Sequence, residues 1–402
     1  MAVIRPFRAV RPDPSAAPRV AAVPYDVVDV EEARALAAVS PLSFLHVSRA
    51  EIDLPSGIDP HEDIVYRTAA ERYRALKRDA PLVEEESPSL YLYHLDADGH
   101  GQTGVAACYS LAEYDSNVIK KHERTRQDKE DDRTRHIVEL RAQTGPVFLA
   151  HRPVPELDDL VRRVRAAGEP LVDFAALDGV RHAIWRVGAD LVPAFVDAFR
   201  AVDALYIADG HHRAASGARA RDVVRSDEAH FFLAVAFPSD QLRILPYNRV
   251  VRDLNGMTPS HFLGEVARVF SMKSGPAAPF EKGEVSMYVE GAWHTIDLES
   301  AGVPGGGVLE TLDGNVLQER LLKPILGIQD VRTDPRIEFV GGAKGTRTLE
   351  QLVDSGKMAV AFSMYPVSIL ELMEVADAGE IMPPKSTWFE PKLRDGLLIH
   401  EI

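Results

Sequence analysis

One cysteine, Cys108, stands among 402 residues. That excludes an intramolecular disulfide framework and any site that needs two thiolates, such as a cysteine-rich zinc centre. Basic residues are also in short supply. Lys plus Arg is 46 against 61 Asp plus Glu, a net charge of −15. Such a surface repels phosphodiester backbones, so no nucleic-acid partner is expected. No run of about 18 uninterrupted apolar residues occurs, so no membrane span is expected. The opening Met-Ala-Val-Ile-Arg-Pro-Phe-Arg has no long apolar core after its basic residues. No signal peptide is expected there, and the expected location is the cytoplasm. What is present is globular in proportion, with 46% hydrophobic and 27% charged residues. The length suits two to three domains of about 100–200 residues each. A homo-oligomer is left open.

Prolines at 6, 12, 14, 18 and 24 predict an extended start over residues 1–26, with at most an edge strand. Ser43–Val47 reads as a strand, and Asp63–Arg78 carries a helical apolar stripe. Leu90–Leu95 and Gly104–Leu111 read as two strands around Asp96-Ala-Asp-Gly-His-Gly-Gln, which is hairpin-like. From Val147 to Phe237 short strands alternate with helices, which predicts an α/β core. The last third repeats the mixture, with a helix expected over Leu309–Leu322.

The sharpest local signal is Tyr206-Ile-Ala-Asp-Gly-His-His-Arg, an apolar strand running into an Ala- and Arg-rich helix. A helix N-terminus offers free backbone N–H groups and the positive end of a dipole, which suits a phosphate. Gly210 lets a ligand approach the backbone, and Arg213 can fork two hydrogen bonds to phosphate oxygens. His211 and His212 supply donors or a proton shuttle. Asp209 has three readings: a helix cap, an Mg²⁺ ligand or a proton acceptor. The blander alternative is a capped helix with two packing histidines. A metal site built on Asp209 and the histidines is the third possibility.

Lys120–His136 is densely charged and mostly reads as a solvated helix laced with weak ion pairs. His122-Glu123 sits apart from that, just after Val118-Ile119. A carboxylate beside a histidine and the cations Arg124 and Arg126 suits a general base acting on a hydroxyl. Phe339-Val-Gly-Gly-Ala-Lys-Gly lacks the spacing of a P-loop and reads equally as an anion nest or a tight turn. Lys385, Ser386 and Thr387 form a phosphate-friendly trio in a Pro-bounded loop. Arg249, at the end of Pro246-Tyr-Asn-Arg, is an anion clamp or an ion-pair partner. Cys108 lies in an apolar strand and reads as a buried, inert thiol.

Taken together, Val23-Pro-Tyr-Asp-Val, Ser43-Phe-Leu-His-Val, Glu51-Ile-Asp-Leu-Pro, Ile119-Lys-Lys-His-Glu-Arg-Thr, Ala208-Asp-Gly-His-His-Arg, Pro246-Tyr-Asn-Arg, Phe339-Val-Gly-Gly and Met382-Pro-Pro-Lys-Ser-Thr-Trp-Phe-Glu-Pro-Lys resemble the domain-of-unknown-function family 1015. Its members are often described as related to the chromosome-partitioning protein ParB. The Asp-Gly-His-His-Arg junction also resembles the nucleotide-binding turn of the ParB/sulfiredoxin superfamily, which includes ATP- or ADP-dependent kinases of free L-serine. That resemblance implies Glu123 as the base that deprotonates the acceptor hydroxyl. It implies Asp209 in Mg²⁺ or proton handling, and Gly210, His211, His212 and Arg213 on the phosphates. It excludes sulfinic-acid reduction, because no cysteine stands in the turn.

The expectation is an α/β (mixed α+β) protein with a ParB/sulfiredoxin-like nucleotide-binding core and flanking α/β segments. Its divisions are drawn at 1–113, 114–255 and 256–402. The expected activity is a nucleotide-dependent small-molecule kinase using ATP or ADP and Mg²⁺. Catalysis would fall to Glu123, Asp209 and His212. Phosphates would be held by the turn with Lys385, Ser386 and Thr387, and His122, Arg124, Arg126 and Arg249 would bind the substrate or an anion. Two alternatives remain: a non-catalytic nucleotide-sensing regulator or scaffold, and a metal-dependent hydrolase using Asp209, His211, His212 and His122.

Overall fold

The fold is seen in a computed structural model that describes residues 1–79, 82–302 and 306–402. The chain divides into two compact units, Met1–Leu242 with the tail Pro391–Ile402, and Arg243–Glu390. Both are mixed α/β, as the alternation of elements predicts.

The first unit is built on a nine-stranded sheet. Its strands are β1 (Ile4–Arg5), β2 (Tyr91–Ala97), β3 (His100–Ser110), β4 (Ile119–Lys120), β5 (Val147–His151), β6 (Val172–Ala175), β7 (Arg181–Arg186), β8 (Leu205–Asp209) and β9 (Phe231–Pro238). The order is β4-β8-β5-β9-β3-β2-β7-β6, with β1 beside β3. The β2–β3 hairpin turns at Asp98-Gly99, both with positive φ (54° and 76°), the backbone that a two-residue turn of this hand requires.

Helices α1 (Asp63–Asp79), α2 (Gln127–Leu140), α3 (Pro155–Ala167), α4 (Val192–Phe199) and α5 (His211–Val224) surround the sheet. Leu157, Leu160 and Val164 recur at helical spacing along α3 and bury with Phe195 and Phe199 of α4 against Leu92, Val105 and Tyr109. Helix α5 differs. Between its buried first turn, with His211 and Arg213, and Val224 near its end, the buried residues are Ala214, Ala215, Ser216, Gly217 and Ala220, small side chains that allow a close approach to α2. There the Ser216 hydroxyl donates to the Glu130 carbonyl at 3.2 Å. A second core gathers Phe44, Val65, Ala69 and Tyr73 with Ile399 of the returning tail.

Residues 113 and 114 both lie within the first unit. Strand β3 pairs with β9 across more than a hundred residues, so both sides of residue 113 share one sheet. The tail rejoins the first unit by pairing Ile399 with Val10 and His400 with Gln143. Ser43–Val47 is not a strand either. A one-turn helix covers Leu45–Ser48, and Phe44, Leu45 and Val47 are all buried. An apolar run buried all round carries no period, so it does not distinguish the two elements.

The second unit holds a six-stranded sheet of β10 (Tyr247–Val251), β11 (Ser271–Ser274), β12 (Glu284–Val289), β13 (Ala292–Asp297), β14 (Ile337–Gly341) and β15 (Val360–Met364), in the order β11-β13-β12-β15-β10-β14. Helices α6 (Pro259–Val269), α7 (Gly345–Asp354) and α8 (Ile369–Asp377) accompany it. Phe262, Val266, Met287, Leu321 and Phe362 centre its core. The helix expected over Leu309–Leu322 is shorter, Asp313–Leu317, and continues as a π-turn over Gln318–Leu322. Gly341 and Gly342 serve close packing: a Cβ on Gly342 would lie 2.8 Å from the Pro246 carbonyl oxygen.

Candidate functional site

The site is set by one parallel strand pair. Edge strand β4 runs parallel to β8, with Ile119 opposite Leu205 and Lys120 opposite Tyr206. Both chains therefore leave the sheet at the same end. His122-Glu123 follows β4 by two residues, and Gly210-His211 follows β8 directly. Gly210 carries φ +93°, a left-handed conformation that turns the chain sharply into α5. Helix α5 has no side-chain cap, so the cap reading of Asp209 gives way to an open helix N-terminus.

Glu123 and the first residue of α5 share this space, with Glu123 Oε2 3.7 Å from His211 Nδ1. The rings of His122 and His211 meet edge-to-face with centroids 4.5 Å apart. Both histidines are buried, while the Glu123 side chain is 55% exposed. Burial pushes His122 down to about 4, against the pull of Asp209 and a hydrogen bond to the Ile207 backbone. Burial, with His122 beside it, also drives His211 well below the ordinary range. Both imidazoles are neutral near pH 7. Nδ1 of His122 and Nε2 of His211 are buried without a hydrogen-bond partner.

Behind them lies an ion network. Arg213 is buried, donating from Nη1 to the Pro146 carbonyl at 2.6 Å and from Nη2 to Asp209 at 3.2 Å, with Asp26 at 4.0 Å. Lys392 Nζ stands 3.5 Å from the same Asp209 carboxylate. Burial works to raise Asp209, but Lys392 and Arg213 outweigh it and hold the carboxyl well below its usual range. For Arg213, burial works downward and is overcome by Asp26, Asp209 and Asp395, which raise it. Asp395 pays the opposite toll: its burial pushes it up to about 7 despite Arg213.

These contacts redistribute the expected roles. Glu123, His122, His211, Asp209, Gly210 and Arg213 come together in the first unit. His212 is turned elsewhere, its Nε2 accepting the Arg126 backbone N–H at 3.0 Å at the start of α2. That hydrogen bond ties the start of α5 to the start of α2. Arg126 itself pairs with Asp128 at 2.7 Å, and Arg124 is exposed. Asp209 does not fit an Mg²⁺ ligand, since its carboxylate already lies against two cations and its other neighbours are imidazoles; Mg²⁺ favours oxygen donors and keeps its waters. Arg249, Lys385 and Ser386 line a cleft of the second unit, and Thr387 lies next to them in sequence. Cys108 is fully buried in β3, its thiol pushed far up by burial, as an inert thiol requires.

Residues 4–315 match the family described as "Protein of unknown function (DUF1015)". The chain belongs to this family. None of the curated proteins matches it. Among solved structures, this family member is similar to a free serine kinase in complex with AMP, at 17% identity and a TM-score of 0.35, covering 73% of this chain and 92% of that one. It is similar to a conserved hypothetical protein from Pyrococcus furiosus at 15% identity and a TM-score of 0.35, covering 74% and 95%. It is also similar to SbnI with a C-terminal truncation from Staphylococcus aureus, at 12% identity and a TM-score of 0.41, covering 73% and 87%. Among the described residues, no helix is long and apolar enough to cross a membrane.

Three residues of the site were not singled out from the sequence: Asp26, Lys392 and Asp395. Asp26 and Lys392 lie inside family motifs, Val23-Pro-Tyr-Asp-Val and the segment ending Glu390-Pro-Lys, but no spacing rule ties them to residue 209. Asp395 carries no sequence signal. In the structure it pairs with Ala22 and lies against Gly145, where a Cβ would be 2.5 Å from Asp395 Oδ1.

Proposed function

We propose that the protein is a nucleotide-dependent phosphotransferase acting on a small hydroxyl compound, with free serine as the first acceptor to try. The observation that carries this reading is the 3.7 Å between Glu123 and His211, which brings a carboxylate base to an uncapped helix N-terminus. The N–H groups at the start of α5 and the positive charges of Lys392 and Arg213 receive the phosphates. Asp209 keeps those two cations in place. The acceptor hydroxyl gives its proton to Glu123 as its oxygen bonds to the terminal phosphorus, and the bond to the departing phosphate oxygen breaks. Any Mg²⁺ enters as part of the nucleotide substrate. The main contribution of the chain is positioning plus charge neutralisation.

The test is isothermal titration of the full chain with ATP, ADP and CTP as their Mg²⁺ complexes, beside Lys392→Ala. Saturable binding of at least one nucleotide, weakened about tenfold or more in the variant, is expected. No binding of any of the three ends the reading.

A second reading is favoured by one specific observation. His122, Glu123 and His211 place ligand atoms within 4.8 Å of one another, and each histidine has an unpartnered buried nitrogen. The Ile207 backbone fixes the outer side of the His122 ring, as outer partners do for metal-bound histidines. An N₂O donor set suits a first-row transition metal and would serve metal-assisted hydrolysis. This set replaces the one expected from sequence, since His212 and Asp209 are otherwise engaged. Stoichiometric metal in the purified protein by elemental analysis, lost in His122→Ala, would favour hydrolysis; metal-free protein would remove it.

A further inference from the structure

The second unit contains an open cleft lined by Arg249, Lys282, Asp313, Tyr365, Glu371 and Lys385. Arg249 forms part of its wall. This side chain is buried, at 5% exposure, yet among the described residues no carboxylate lies within ion-pair distance of it. Its one hydrogen bond runs from Nη1 to the Tyr247 carbonyl at 3.2 Å. Nη2 rests over Gly314, where a Cβ would lie 2.7 Å away, so the absence of a side chain there is what admits the guanidinium. The Phe339 ring lies 5.7 Å from its Cζ, and Asp313 attracts it from beyond ion-pair distance, so no carboxylate engages the planar fork, which matches a carboxylate or phosphate.

The other charges of the cleft do not fill that role. Lys282 and Glu371 neutralise each other at 2.5 Å. Asp313 accepts the Gly283 backbone N–H at 3.1 Å, and burial pushes it up to about 6. Lys385, exposed and held in a left-handed turn at φ 55°, stands 5.5 Å above the Tyr247 ring and lines the same cleft. Arg249 and Lys385 thus face a single remaining carboxylate, an excess of positive charge.

We infer that the second unit by itself binds a small oxyanion, the carboxylate or phosphate group of a compact metabolite, with Arg249 as the fork and Lys385 as a second cation. Tyr247 and Tyr365 supply the flat walls that hold the rest of such a molecule. Arg249 was open between a clamp and an ion-pair partner on sequence; the missing ion pair decides for the clamp.

The experiment is isothermal titration of the full chain with inorganic phosphate and, separately, with malonate. Wild type, Arg249→Lys and Lys385→Ala are compared. Saturable binding of one of the two anions is expected, weakened tenfold or more by Arg249→Lys and several-fold by Lys385→Ala. Binding of phosphate identifies a phosphorylated metabolite, and binding of malonate identifies a carboxylate. Failure of both anions to bind wild type overturns the inference, as does binding that both variants leave unchanged. If Arg249→Lys does not fold by circular dichroism, exposed Lys385→Ala decides alone, and an unchanged affinity overturns it.

Discussion

The carboxylate of Glu123 lies 3.7 Å from Nδ1 of His211, although the two are separated by 88 residues of sequence. The parallel pairing of β4 and β8 produces this meeting, because both strands deliver their next residues to the same sheet edge. In open α/β sheets that edge is where ligands bind.

Glu123→Gln should leave the fold intact, since the side chain is largely exposed. It should leave nucleotide affinity within about threefold and lower phosphoryl-transfer kcat by roughly 10²–10⁴-fold, the usual worth of a positioned base. Paired titration and rate measurements check this. A variant that loses binding and rate together would make Glu123 a binding group instead.

Arg213→Ala should be strongly destabilising. The guanidinium is buried against Asp209 and near Asp26, and its loss strands those carboxylates. Breaking a buried pair from one side costs about 3–5 kcal/mol. Urea unfolding followed by circular dichroism reads the shift, and a loss below about 1 kcal/mol would mean the network is solvated.

Gly210→Ala should cost about 1–2 kcal/mol, because φ +93° is disfavoured for a residue with a side chain. The new Cβ would also sit 3.1 Å from Cζ of Arg213. The same unfolding assay applies, and nucleotide affinity should fall with stability.

The pH dependence of stability should carry two opposed contributions. Asp395, raised by burial from 3.8 to about 7, keeps its proton longer in the folded state. Its contribution is present below pH 4 and is lost as pH rises to about 7, at most ~1.4 kcal/mol per pH unit. His122, lowered by burial from 6.5 to about 4, acts in reverse, and its contribution is lost as pH falls through that window. Asp395→Asn should therefore gain stability relative to wild type as pH rises from 4 to 7. A difference that is flat with pH would contradict the burial of that carboxyl.

His212→Ala should loosen the start of α2, where His212 accepts the Arg126 N–H. A loss of about 1 kcal/mol is expected, the net worth of one hydrogen bond. Hydrogen exchange at the Arg126 amide should speed up accordingly, with protection deeper in α2 unchanged.

Local patterns carried much of this structure. The Asp98-Gly99 turn, the stripe of α1 and the strand–Asp-Gly–helix junction all express short-range rules, and each is found where its residues predict. The site was legible as two fragments, Ile119–Glu123 and Ala208–Arg213. What joined them was long-range pairing, which no single-sequence period encodes. The same reason hid the division of the chain, because β3 meets β9 and the tail meets Val10 only in three dimensions. The role of Asp209 depended on Lys392, 183 residues later, whose charge turns a candidate metal ligand into an ion-pair anchor.

The central claim is that Glu123 activates a hydroxyl beside phosphates held at the start of α5. Phosphorus NMR of the full chain with ATP or ADP and free serine, run beside Glu123→Gln, tests it most directly. A new phosphomonoester signal that grows with wild type and is absent with the variant is the predicted result. Nucleotide that binds the wild type yet yields no phosphomonoester with serine or other small hydroxyl compounds would contradict it and make the protein a nucleotide-sensing regulator or scaffold.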